Sequence, residues 1–165
     1  MRLGRPGGAR ISLIRPAVAA LSPASSQEES RAVDPSDTLE IHQLLSTYGH
    51  IIDERQWSRT AELFTEDVRY DLSPMGGPVY CGIDEVLWFW RDPATNHPLA
   101  HHVTNVVVTQ DPNGTVRAIS KVISHRPGGG GSAVYRDVVR RTPAGWRIAE
   151  RIASLKTPDN IPQPS

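Results

Sequence analysis

Three turn signals divide the C-terminal half of the chain: Asp111-Pro112-Asn113-Gly114, Pro127 to Gly131, and Pro143-Ala144-Gly145. Strand-like segments lie between them, and strands joined by short turns run antiparallel. The segments are a Val-rich strand from His101 through Val108, then Thr115–Ser124, Ala133–Arg141 and Trp146–Leu155. Such a meander has one face to cover, and only the segment ahead of it is available to cover it.

That segment reads as helical. Asp37-Thr38-Leu39-Glu40 has the form of an Asp cap with Glu three residues later. Ile41, Leu44, Leu45, Tyr48 and Ile52 then recur at helical spacing, predicting a first helix over about 38–52. A short second helix is predicted over about 57–64, with Trp57, Ala61 and Phe64 on one side, and a third over Ile83–Arg91. Between them, Val68–Leu72 suits a strand and Ser73 to Pro78 a loop. The expected fold is α+β, with three N-terminal helices over a strongly curved, mostly antiparallel sheet. A bent sheet capped in this way encloses a cavity closed at one end, a usual place for a small ligand.

At 165 residues the chain has room for one such domain, expected over 37–157. Residues 158–165 contain three prolines and read as an irregular tail. Residues 1–36 stand apart. Arg2, Arg5, Arg10 and Arg15 precede the first acid, among many Gly, Pro, Ala and Ser residues. Composition favours a disordered extension, and a transit peptide has the same Arg-rich, acid-poor character. Arg15 and Pro16 interrupt the apolar run that a secretory signal needs. The 18 basic and 18 acidic residues balance, which argues against nucleic acid or an anionic membrane as partner. No apolar run approaches the roughly 20 residues of a membrane-spanning helix, so a cytoplasmic location is expected.

Several motifs are discounted. Gly128 to Ala133 formally fits a dinucleotide loop, but a strand follows it where a helix is required. The single cysteine, Cys81, reads as a small buried apolar residue. His101 and His102 are adjacent on a strand and point to opposite faces, so they cannot share a metal ion. No metal and no cofactor is expected.

Four residues are candidates for chemistry. Asp53 closes the first helix, where the helix dipole disfavours an anion, and locally unfavourable polar choices concentrate at functional sites. His102 is in line with Thr104 and Val106; near an acid it becomes a general base, with His101 turned outward. Tyr48 lies on the apolar stripe, with a hydroxyl that needs a partner. It shares a pocket with Asp53, about 140° further around the helix, only if the helix loosens or ends before Asp53. Arg151 lies on the last strand among alanines, either as a surface cation or pointing inward to bind a carboxylate or leaving group. Tyr135, Trp57 and Trp90 are candidates for the pocket wall.

The spacing Ile41-x-x-Leu44-x-x-x-Tyr48-x-x-x-x-Asp53, then Trp57 and Leu63 to Asp67, resembles the opening of SnoaL-like domains of the NTF2-like superfamily. Gly82 to Glu85, His102 to Asn105, Tyr135-Arg136-Asp137 and Gly145-Trp146-Arg147-Ile148 with Arg151 resemble the rest of that pattern, over about 37–155. The resemblance implies a cone-shaped α+β roll. Relatives of this layout include scytalone dehydratase, bile acid 7α-dehydratase and a lindane dehydrochlorinase. It further implies an Asp53–His102 pair assisted by Tyr48 and Arg151. Ile52 and Leu72 stand where scytalone dehydratase has tyrosines, so scytalone itself is not the expected substrate. The expected activity is a cofactor-independent lyase (a dehydratase) or isomerase acting on a small hydrophobic ring compound. The alternatives are a non-catalytic binding domain and the accessory subunit of a ring-hydroxylating dioxygenase. Alternating apolar residues on the outer sheet face predict a homodimer or homotrimer.

Overall fold

The structure, a computed structural model, describes residues 32–160. The extension expected over 1–36 lies mostly outside them, as do the last five residues of the tail. Helix α1 spans Pro35–Asp53, a 3-10 turn spans Trp57–Glu62, and helix α2 spans Ile83–Arg91. Six strands form one sheet: β1 Phe64–Asp71, β2 Val79–Cys81, β3 Ala100–Gln110, β4 Val116–Arg126, β5 Gly129–Thr142 and β6 Gly145–Lys156. Their order is β2-β1-β6-β5-β4-β3. Only the β1–β6 pair is parallel. This is the α+β roll expected from the order of helices and strands, with the helices packed on the inner sheet face.

The cap of helix α1 lies three residues before the Asp37 read from sequence. Asp34 is the cap, accepting from the Ser36 amide at 2.8 Å, and Pro35 follows at the first helical position. Asp37 is therefore free to accept from Trp146 Nε1 at 3.1 Å and from Arg141, tying α1 to the β5–β6 hairpin. Ile41, Leu44, Leu45, Tyr48 and Ile52 are all buried, as the helical spacing requires. Burying each aliphatic side chain stabilises the fold by about 1.5–3 kcal/mol relative to exposure.

Three local readings change. Phe64 begins β1 instead of ending a helix. Cys81 is exposed, because it ends a three-residue strand at the sheet edge where one flank has no neighbour. The glycine run after Pro127 is the start of β5, paired residue for residue with β4. A Cβ on Gly130 would lie 2.9 Å from the Ser124 carbonyl oxygen, so the absence of a side chain lets the two strands approach.

Candidate active site

Asp53 is the last residue of α1, and β3 is the sheet edge that α1 covers. An edge strand carries backbone amides without a neighbouring strand to receive them. Asp53 receives one: the His101 amide donates to its Oδ2 at 2.8 Å. The His101 ring Nδ1 donates to its Oδ1 at 2.6 Å. Two hydrogen bonds to one residue thus offset the unfavourable position at the helix end. The close approach of helix and strand has a sequence cause in Gly49, where a Cβ would stand 2.8 Å from the His101 carbonyl oxygen.

The acid's partner is therefore His101, not His102. His102 is exposed on the outer face, opposite Ile123 of β4. The reason is a bulge. Between Thr104 and Val107, β3 carries one residue more than its partner strand, and Asn105 adopts a left-handed φ of 52°. Simple alternation puts His102 on the same face as the inward Val106. The extra residue shifts the phase, so His101 and Val103 share the inner face with Val106, and His102 does not.

His101 forms part of the wall of a cavity of about 300 Å³. Ile52, Leu72, Phe89, Trp90, Val122 and Leu155 supply apolar surface, and Tyr48, Tyr70 and Tyr135 a phenolic side. The Tyr48 and Tyr70 hydroxyls are 3.1 Å apart, and the Tyr48 and His101 rings 6.1 Å apart. Tyr48 and Asp53 share the site without any loosening of the helix. They reach different sides of the same imidazole, and Asp53 stays behind it, off the cavity wall.

Because the Asp53 carboxylate accepts from Nδ1, Nε2 is the nitrogen left with a free lone pair. Burial pushes the His101 pKa below the usual imidazole value, while the hydrogen bond and charge of Asp53 work in the opposite direction. The ring is neutral at pH 7 and able to take a proton. Burial pushes the Tyr70 and Tyr135 hydroxyls well above the ordinary phenol range, so both remain protonated donors.

Arg151 is inward but does not line the cavity. Its side chain is fully buried and clamps the equally buried Asp137, with Nε to Oδ1 and Nη2 to Oδ2 both at 2.7 Å. Asp137, Arg151 and Tyr70 are neighbours in register across β5, β6 and β1. The guanidinium carbon lies 4.1 Å from the Tyr48 ring centroid and 4.2 Å from that of Tyr135. Burial opposes its charge, and the Asp137 carboxylate more than offsets this, raising its pKa. Arg151 is thus a scaffold between two phenols. Trp57 is also off the cavity, packed against Trp90 with ring centroids 5.6 Å apart and the planes tilted by 39°, whereas Trp90 and Tyr135 are on the wall as expected.

Sequence reasoning missed His101, Tyr70 and Asp137. Tyr70 was accessible from alternation with the inward Val68, and Asp137 from its place opposite Arg151 in the final hairpin.

The chain is thus an α+β roll around an apolar cavity, with the His101 ring and three phenols on its wall and Asp53 behind the ring. The chain belongs to the SnoaL-like domain family, whose profile matches residues 34–152. The uncharacterized protein Rv2910c of Mycobacterium tuberculosis is 33% identical over 127 residues, covering 71% of this chain and 84% of that protein. Two crystal structures from Novosphingobium aromaticivorans share the fold. One, provisionally described as an aromatic ring hydroxylase, is 27% identical with a TM-score of 0.64, covering 77% of this chain and 94% of its own. The other, an NTF2-like protein with a cystatin-like fold, is 28% identical with a TM-score of 0.59, covering 73% and 82%.

Proposed function

We propose that this protein is a cofactor-independent lyase or isomerase that takes a proton from carbon next to a carbonyl in a small hydrophobic ring compound. The observation that carries this reading is the 2.6 Å hydrogen bond from His101 Nδ1 to Asp53, on a ring that lines an apolar cavity. His101 Nε2 takes the proton, and Asp53 fixes the tautomer and stabilises the imidazolium. The enolate oxygen is received by the phenols. The Tyr48 and Tyr70 hydroxyls, 3.1 Å apart, make one hydrogen bond that either can donate, and the other O–H donates to the ligand. The imidazolium then returns its proton to a different carbon, giving the isomer, or to a departing β-hydroxyl. In the second case a C–H and a C–O bond break, a C=C bond forms and water leaves.

Exchange of the α-protons of 2-tetralone for deuterium, followed by NMR, tests the proton-transfer step without needing the natural substrate. The wild type is expected to accelerate exchange. His101→Gln and Asp53→Asn should each lose about 10²–10⁴-fold while staying folded. His102→Gln should leave the rate unchanged. Equal rates in the wild type, His101→Gln and Asp53→Asn proteins would overturn the assignment and leave a binding pocket without chemistry. A second reading is the accessory subunit of a ring-hydroxylating dioxygenase; the 27% identical Novosphingobium protein, described as an aromatic ring hydroxylase, supports a link to ring hydroxylation. Co-purification with a larger iron–sulfur subunit would favour it.

A further inference from the structure

The cavity wall holds no carboxylate, and its one permanently charged residue is Arg126, half-buried near the C-terminal end of β4. Among the described residues Arg126 has no acidic partner. Its Nε donates to the Asn96 carbonyl oxygen at 3.4 Å, and its two terminal nitrogens meet no acceptor. Arg59, Arg69, Arg117 and Arg151 are clamped to carboxylates, whereas Arg55 and Arg147 donate to backbone carbonyl oxygens; what sets Arg126 apart is that it has no acidic partner and lies on this cavity wall. Asn96 and His97 line the same cavity, and His97 is held to the Trp90 carbonyl at 3.0 Å. Asp53 forms no ion pair with Arg126: both its oxygens accept from His101, and it is off the cavity wall.

We infer that the ligand is an amphipathic acid, with an apolar ring body in the cavity and a carboxylate held on the guanidinium of Arg126. A guanidinium presents paired donors that match a carboxylate, and a partly desolvated cation without a counter-ion gains most from one. The aromatic and aliphatic wall matches the ring body. Burial is the main cause that lowers the basicity of His97 and His101, and the charge of Arg126 adds a smaller effect in the same direction. A bound carboxylate would screen that charge, so the ligand itself would make His101 a stronger base.

This inference rests on the cavity being the substrate site of the proposed enzyme. The test compares 2-naphthoate with 2-acetonaphthone, a neutral ketone of nearly the same shape, by calorimetric titration of the full chain at pH 8. Naphthoate is expected to bind at least about tenfold tighter than the ketone. Arg126→Gln should abolish that preference by weakening naphthoate alone, and Arg126→Lys should restore part of it. Equal affinity of the wild type for the two probes would overturn the inference, as would a preference that survives Arg126→Gln. Failure of both probes to bind would overturn it together with the cavity assignment. Binding is read without turnover, so a protein that exchanges the protons of 2-tetralone yet treats the two probes alike would sink this inference and leave the proposed chemistry standing.

Discussion

At the scale of single residues, the site depends on one carboxylate serving two donors of one histidine. The Asp53 hydrogen bond and charge raise the His101 pKa, against a larger lowering by burial. The net direction is downward, so the base limb of the pH–rate profile is expected to have its midpoint below about 6.5, the ordinary imidazole value. Asp53→Asn removes the raising contribution and keeps the burial. The residual activity of Asp53→Asn should therefore show a limb at still lower pH than the wild type. Proton-exchange rates on 2-tetralone between pH 4 and 8 check this, with the His101 ring resonances titrated in parallel by NMR. A limb that moves to higher pH would mean that Asp53 is not the partner that governs His101. Arg151 belongs to a different class of residue despite being fully buried. Its guanidinium is committed to Asp137, and breaking a buried pair of this kind costs about 3–5 kcal/mol. Loss of activity on removing it would report the loss of the scaffold under Tyr48 and Tyr135.

At the scale of elements, the contact between the end of α1 and the start of β3 sets the geometry. Gly49 is the close-approach point, with space for a hydrogen and none for a methyl group against the His101 carbonyl. Gly49→Ala should push β3 away from the helix, costing about 1–3 kcal/mol in stability as overpacking does. The same displacement lengthens the Asp53–His101 hydrogen bonds, so exchange activity should fall more than tenfold while the protein still unfolds cooperatively. Urea denaturation and the tetralone assay check the two parts, and an active, undestabilised Gly49→Ala protein would contradict the packing described. The elements also show what was legible in the sequence. Helical spacing found α1 and its buried face, and Pro/Gly clusters found the hairpins, because those signals are local. The identity of the histidine was not legible, because it depends on the bulge at Asn105. Asparagine tolerates the left-handed conformation found there, yet most asparagines in strands and turns do not mark an inserted residue. One uncounted residue turned the inner histidine into the outer one. Burial of Arg151 was readable as an option, and its commitment to Asp137 required the β5–β6 register.

At the scale of the whole molecule, none of the described residues covers the outer face of β3 and β4, because the helical elements among them pack on the other side of the sheet or at its edge. Val107 is 54% exposed, Ile119 41% and Ile123 54%. Val107 and Ile119 are direct cross-strand partners, which makes the apolar surface contiguous and not scattered. Tyr135, by contrast, faces the cavity, so the outer patch is aliphatic. We propose that a second copy of the chain covers this patch, since an apolar strip on an open sheet face is the kind of surface that closed association of identical subunits buries. Light scattering at micromolar concentration should then give two or three times 18.1 kDa for the wild type. Ile119→Glu places a charge at the centre of the buried face, where desolvation without a partner is costly. It should shift the mass to that of one chain. Ile119→Glu leaves the cavity wall untouched, because residue 119 points to the opposite side of the sheet from Ala118 and Ser120, whose side chains are buried. Its affinity for 2-acetonaphthone should therefore match that of the wild type. A wild-type mass of one chain at these concentrations would show that the exposed valine and isoleucines are simply surface, and that the roll is complete as a monomer.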